Sequence, residues 1–177
     1  MESLLNQLRK PISSGQTRPE AWRSHQLQQI NELANRHEND VLEALAVDLG
    51  KPPSEALFEL IAVQQEIKLA QRNLRRWMKP RRVRVPLSLK PGEAMVQLEP
   101  LGCVLIIGPW NYPFSLIFQP LVSALAAGNT ALIKPSEHAP SISKLIAKLI
   151  PNYFSADVVK VVEGDGEVAA TLLEQPF

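Results

Sequence analysis

The apolar run "CVLIIG" leads straight into "GPWNYP", so that Asn111 is closed in by Pro109, Trp110, Tyr112 and Pro113. A side-chain amide can donate to an oxygen that is gaining negative charge, and core packing gives no reason to place one here. Two later stretches have the same form, an apolar run and then a polar turn. "TALIK" passes into "KPSEHAP", and "VVKVV" passes into "EGDGE". These turns supply Lys134, Ser136, Glu137 and Asp165, the last between Gly164 and Gly166.

Lys134 and Glu137, three residues apart, can donate to and accept from a sugar diol. A carboxylate facing ribose hydroxyls is the usual logic of NAD recognition and repels a 2′-phosphate. The pair reads equally well as a surface lysine beside a glutamate that stabilises a helix start, and spacing does not choose between the two. The "GDG" turn could admit a cofactor close to the backbone, although a plain turn is the simpler account. The glycine fingerprint G-x-G-x-x-G is missing after the first run, so any dinucleotide binds in another manner than the common one. Cys103, the single thiol, lies inside an apolar run, where burial raises a thiol pKa and leaves it inert. His25, His37 and His138 share no metal-ligand spacing, and no metal site is expected.

The elements that must position these turns follow from periodicity. "TRPE" at Thr17–Glu20 predicts a capping box, and apolar residues at Trp22, Ile30, Leu33, Val41, Leu42 and Leu45 continue at helical spacing. Gly50 and Pro52–Pro53 end that segment, and a second helix is expected from Ser54 to about Met78, with Leu57, Leu60, Ile61, Gln64, Ile67, Leu74 and Trp77 along one face. From Val83 the period becomes two: "VRVPLSL" and "MVQL" predict half-buried antiparallel strands at an edge, a surface suited to another subunit. After Pro100, strand and helix alternate three times. The short, continuously apolar runs predict strands buried on both faces of a parallel sheet. Gly128 is expected to cap the first of these helices, Pro120 to kink or start it, and Pro151 to stop the second. Ligands of such a sheet bind outside the carboxyl ends of its strands, where the three polar turns stand.

Composition narrows the function further. A net charge of +1 gives no case for nucleic acid or an acidic membrane as partner. The basic run from Arg72 to Arg84 then reads as a solvated helix end. One cysteine excludes an internal disulfide framework and suits a reducing, cytoplasmic setting. No apolar run approaches the ~18 residues of a membrane span.

"EPLGCVLIIGPWNYPF" and "LAAGNTALIKPSEHAP", with "TRPEAW", "DLGKPPSEA", "LRRWMKPRRV" and "VVEGDGE", strongly resemble the aldehyde dehydrogenase superfamily, in particular its class 3 and fatty-aldehyde branch. The resemblance implies an incomplete α/β aldehyde dehydrogenase fold. Residues 1–82 would form a helical segment of the cofactor-binding domain, 83–99 a β excursion with oligomerisation strands, and 100–177 the first part of a Rossmann-like domain. It implies NAD, with NADP also accepted, as cofactor, an aldehyde as substrate and a homodimer. Asn111 matches the oxyanion donor, with the surrounding prolines and aromatics as its clamps. Ile107, Gly108, Pro109 and Trp110 match positions lining cofactor and cleft. Lys134 and Glu137 match the pair that holds the adenosine ribose, Ser136 is a further cofactor-binding position, and Gly164 and Gly166 fall on the adenine side. The family's nucleophilic cysteine and general-base glutamate would lie beyond residue 177. The chain is thus expected to be an N-terminal portion without the catalytic domain, inactive alone. Its rival reading is an assembly module for full-length subunits.

Overall fold

The computed structural model describes residues 2–177. Four helices come first: α1 (Glu2–Ser13), α2 (Glu20–Arg36), α3 (Glu38–Leu49) and α4 (Pro53–Trp77). A small ribbon follows, β1 (Arg81–Val83) and β2 (Ala94–Val96), with a 3-10 turn at Leu87–Leu89 between them. The alternating part is β3 (Cys103–Ile107), α5 (Ser115–Ala126), β4 (Thr130–Lys134), α6 (Pro140–Tyr153), β5 (Val159–Val161) and α7 (Gly166–Leu173).

The three strands β3, β4 and β5 pair in parallel with β4 in the centre. Cys103 stands opposite Thr130, Ile107 opposite Lys134, and Ile133 opposite Val161. Every residue of β4 is buried. Side chains alternate across the sheet, as the period of two requires. Ile106, Ala131, Ile133 and Val159 join a large core built with α2 to α6. Cys103 and Leu132 face the other way, against Leu5 and Leu8 of α1 and Leu172 of α7. Thr130 Oγ1 fixes α1 there by donating to the Leu8 carbonyl at 2.7 Å. The result is a sheet between two helical layers, with α2–α4 packed outside α5 and α6.

Several expectations change in detail. The apolar run of β3 is not buried throughout: Val104 and Leu105 are half-buried and Ile107 is exposed. The cause is position, because β3 is an edge strand with one side unpaired among the described residues. The ribbon of β1 and β2 is exposed rather than half-buried, since no layer lies beneath it. The first long helix breaks at His37, whose φ of −111° and ψ of 24° leave the helical region. "TRPE" does not form a capping box. Pro19 takes the N-cap position without a side-chain bond, and Thr17 Oγ1 is buried without a partner. Pro120 lies inside α5 without interrupting it, and Pro151 is accommodated in the last turn of α6.

Gly128 does end α5 as the sequence implies. Asn129 N–H reaches the Ala124 carbonyl at 2.9 Å and Gly128 N–H the Leu125 carbonyl at 3.0 Å, which is the Schellman pattern. Gly128 has φ of 87°, and a Cβ there would lie 2.8 Å from the Arg23 guanidinium. That guanidinium binds the Thr17 and Ala126 carbonyls at 3.1 and 3.2 Å, closing the end of α5. Gly128→Ala therefore meets both the left-handed penalty of about 1–2 kcal/mol and a displaced arginine. The expected result is a loss of at least ~2 kcal/mol in urea unfolding, and a change within ~0.5 kcal/mol would contradict this account.

Candidate functional site

Parallel register brings the ends of β3, β4 and β5 to one edge of the sheet, and the three polar turns leave from it. In the first turn, Gly108 N–H extends the ladder by one step to the Lys134 carbonyl at 2.9 Å. A Cβ at Gly108 would sit 2.4 Å from Ile117 Cγ1, so glycine lets α5 fold back closely on the strand end. Pro109, Trp110, Asn111 and Tyr112 are exposed, whereas Pro113 and Phe114 are buried. Asn111 Oδ1 accepts from Tyr112 N–H at 3.1 Å. Its NH2 group has no acceptor among the described residues and is free to donate.

Of the flanking residues expected to clamp Asn111, Pro113 is buried and the Tyr112 ring meets a cation, whereas Trp110 is 54% exposed. The turn is also held by Lys51 and Glu59, which the sequence alone did not single out. Lys51 follows Gly50, the left-handed cap of α3, and Glu59 lies in the second turn of α4. Their side chains are 8% and 1% exposed and meet at 2.7 Å. Lys51 Nζ also donates to the Asn111 carbonyl at 2.8 Å and lies 3.9 Å from the centroid of the Tyr112 ring. Glu59 Oε2 accepts from Phe114 and Ser115 N–H at 3.0 and 2.9 Å. One signal could have revealed it: Glu59 interrupts the buried stripe Ala56, Leu60, Val63, Ile67, Ala70, Leu74, and a charge at an inward position needs a partner.

In the second turn, Lys134 is 2% exposed and its ammonium lies 2.5 Å from Glu137 Oε2. That bond, aided by the residue's own backbone N–H, holds the Glu137 carboxyl below the usual carboxylate range. The helix-start reading of Glu137 is displaced by Asp48 of α3. Its two oxygens accept from Ser141 and Ile142 N–H at 3.0 and 2.9 Å and so cap α6. Ser136 is buried, and its Oγ accepts from His138 N–H at 3.2 Å within the turn.

In the third turn, Asp165 caps α7, accepting from Glu167 and Val168 N–H at 3.1 and 3.2 Å. Gly164 has φ of 151°, and a Cβ there would lie 2.5 Å from Val168 Cγ2. Nothing stands within 4 Å of a Cβ at Gly166, which leaves an open approach to the backbone.

Carboxylates thus occupy the N-termini of all three helices behind the site: Glu59 on α5, Asp48 on α6, Asp165 on α7. Helix N-termini are the usual seat of phosphate. Here the amides are taken and the charge is negative, which agrees with the missing glycine fingerprint. Cys103 stands at the opposite end of β3 from Asn111, 5% exposed, with burial pushing its thiol pKa up.

The model of the aldehyde dehydrogenase family matches residues 9–176. The chain belongs to the aldehyde dehydrogenase family. It is 44% identical to the 4,4'-diaponeurosporen-aldehyde dehydrogenase of Staphylococcus aureus, over 94% of this chain and 36% of that protein. It is 42% identical to aldehyde dehydrogenase family 3 member A2 of Macaca fascicularis, over 100% of this chain and 37% of the relative. The structure of the substrate-bound state of Staphylococcus aureus AldH superposes with a TM-score of 0.96 at 40% identity, covering 99% of this chain and 39% of that one. The segment thus spans little more than a third of these relatives and corresponds to their N-terminal part. The family uses NAD(P). Among the described residues no helix is long and apolar enough to cross a membrane.

The donor set at this edge fits such a cofactor. Lys134 offers a fixed ammonium and Glu137 a part-exposed carboxylate, so together they can donate to and accept from a vicinal diol.

Two outcomes follow from the charges. Breaking a buried pair leaves an uncompensated charge, so Glu59→Ala is expected to cost about 3–5 kcal/mol in denaturant unfolding; a loss under ~1 kcal/mol would show that the pair is not coupled to the fold. Glu137 has a lowered folded pKa. Its contribution to stability is therefore present above the ordinary value of about 4.3 and is lost as pH falls through the lower folded value. An NMR titration of its carboxyl carbon should give a midpoint below ~4.3, and a midpoint above that value would contradict the Lys134 contact.

Proposed function

We propose that this chain contributes the cofactor-binding edge and an oxyanion donor to the NAD(P)-dependent oxidation of an aldehyde to a carboxylic acid. The observation that carries the reading is the convergence of an outward amide, Asn111, and a lysine–carboxylate pair, Lys134 with Glu137, on adjacent strand ends. In this reading the Asn111 NH2 donates to the aldehyde oxygen as the carbonyl carbon is attacked and the oxygen becomes negative. Lys134 and Glu137 hold the hydroxyls of the adenosine ribose. Ser136 fixes the turn between them. Ile107, Gly108, Pro109 and Trp110 line the path between cofactor and substrate. Gly164 and Gly166 leave room on the adenine side. When bound, a nicotinamide would supply the acceptor for the hydride removed from the substrate carbon.

Glu137 favours NAD over NADP, since its carboxylate repels a 2′-phosphate. The attacking thiolate is not Cys103, which is buried at the far end of β3. The thiolate and the base that activates water come from a segment outside these residues. Residues 1–82 serve as the helical support, 83–99 as the ribbon through which two copies associate, and 100–177 as the start of the cofactor-binding sheet. The ribbon's exposed Val83, Leu87, Leu89, Met95 and Val96 favour a homodimer. The single unpaired thiol suits the cytoplasm.

The test is aldehyde-dependent reduction of NAD(P) by the complete enzyme of which these residues are the N-terminal part. Loss of one oxyanion donor costs about 100- to 1,000-fold in kcat. Asn111→Ala is expected to show that loss with the KM for NAD(P) unchanged. Unaltered kcat would remove Asn111 from the chemistry.

A further inference from the structure

Asn111 lies on an exposed turn, yet a useful oxyanion donor must point in one direction before substrate arrives. A single peptide unit links it to buried charge. Lys51 Nζ holds the carbonyl end of the Asn111–Tyr112 peptide at 2.8 Å. The N–H end of the same peptide donates to Asn111 Oδ1 at 3.1 Å. Fixing the peptide plane therefore fixes the side-chain oxygen, and the NH2 is left facing outward. Lys51 is aimed in turn by Glu59 at 2.7 Å, whose other oxygen grips Phe114 and Ser115 N–H beyond Pro113. The turn is thus held on both sides by two residues from the helical layer.

We infer that Lys51 and Glu59 are positioning residues for the Asn111 amide: they orient its NH2 through the Asn111–Tyr112 peptide. This rests on the reading of Asn111 as the oxyanion donor. An ammonium has three donors and acts as a point charge. Here it faces the Glu59 carboxylate, the Asn111 carbonyl and the Tyr112 ring. A neutral side chain of similar length keeps the packing and loses the grip.

The variant that separates positioning from stability is Lys51→Met with Glu59→Gln. Removing both charges together avoids the stranded charge that either single change leaves. Amide hydrogen exchange in the complete enzyme, followed by NMR, reads the effect. Exchange at Tyr112 N–H is expected to rise tenfold or more, while Ala131 and Ile133 of β4 stay within twofold of the wild type. Unchanged exchange at Tyr112 overturns the inference, and so does an equal rise at Tyr112 and in β4, which would make the pair a purely structural element. Should the double variant not fold, Lys51→Arg keeps a cation beside Glu59. Its fork cannot reproduce the point contact, so tenfold faster exchange at Tyr112 is again expected and wild-type exchange contradicts it. In the complete enzyme the double variant should lower kcat tenfold or more with the KM for NAD(P) within twofold; an unchanged kcat also overturns positioning. The exchange measurement does not depend on turnover. A wild-type enzyme without aldehyde-dependent NAD(P) reduction would defeat the proposed function and leave this test intact.

Discussion

The buried ion pair of Lys51 and Glu59 is the constraint on which the site edge depends. Burying two charges costs several kcal/mol each, and their attraction offsets this only when the remaining donors and acceptors are satisfied. Here they are satisfied by the turn itself: the Asn111 carbonyl, the Phe114 and Ser115 amides and the Tyr112 ring. The pair and the turn therefore require one another. The helical layer is part of the site because its charges reach through the core to the strand ends. Asp48 repeats the device one strand further on, capping α6 from α3.

This arrangement has a consequence for cofactor recognition. In the common dinucleotide fold the first helix N-terminus is left free for phosphate. Here Glu59 fills that position from within the protein, and carboxylates do the same on α6 and α7. What remains at the edge is suited to hydroxyls and to a developing oxyanion rather than to phosphate. The parallel sheet is kept, and in the proposed reading recognition passes from the helix ends to the turns.

Much of this was legible in the sequence because periodicity is a local signal. The apolar runs of β3, β4 and β5, the long helix α4 and the glycine stop of α5 appear where spacing places them. The polar turns could be assigned to one edge because parallel strands share a direction. The rest depended on contacts distant in the chain. Nothing near Asn111 announces Lys51, 60 residues earlier. Nothing near "KPSEHAP" announces that Asp48 caps the following helix and frees Glu137 for Lys134. The break at His37 and the exposure of the 83–99 ribbon are likewise set by what packs against them. Glu59 was the one partial clue, a charge inside an apolar stripe, and it could be read only by asking what such a charge would face.

The central claim is that the carboxyl edge of the sheet receives the adenosine half of a dinucleotide through its turns. Titration of the 15N-labelled chain with NAD, followed by amide chemical shifts, tests it most directly. The account predicts that shifts concentrate at Ile107–Gly108, Lys134–Glu137 and Gly164–Gly166, and that they weaken for Glu137→Gln. Saturable shifts elsewhere, or none at the three turns at millimolar NAD, would contradict it.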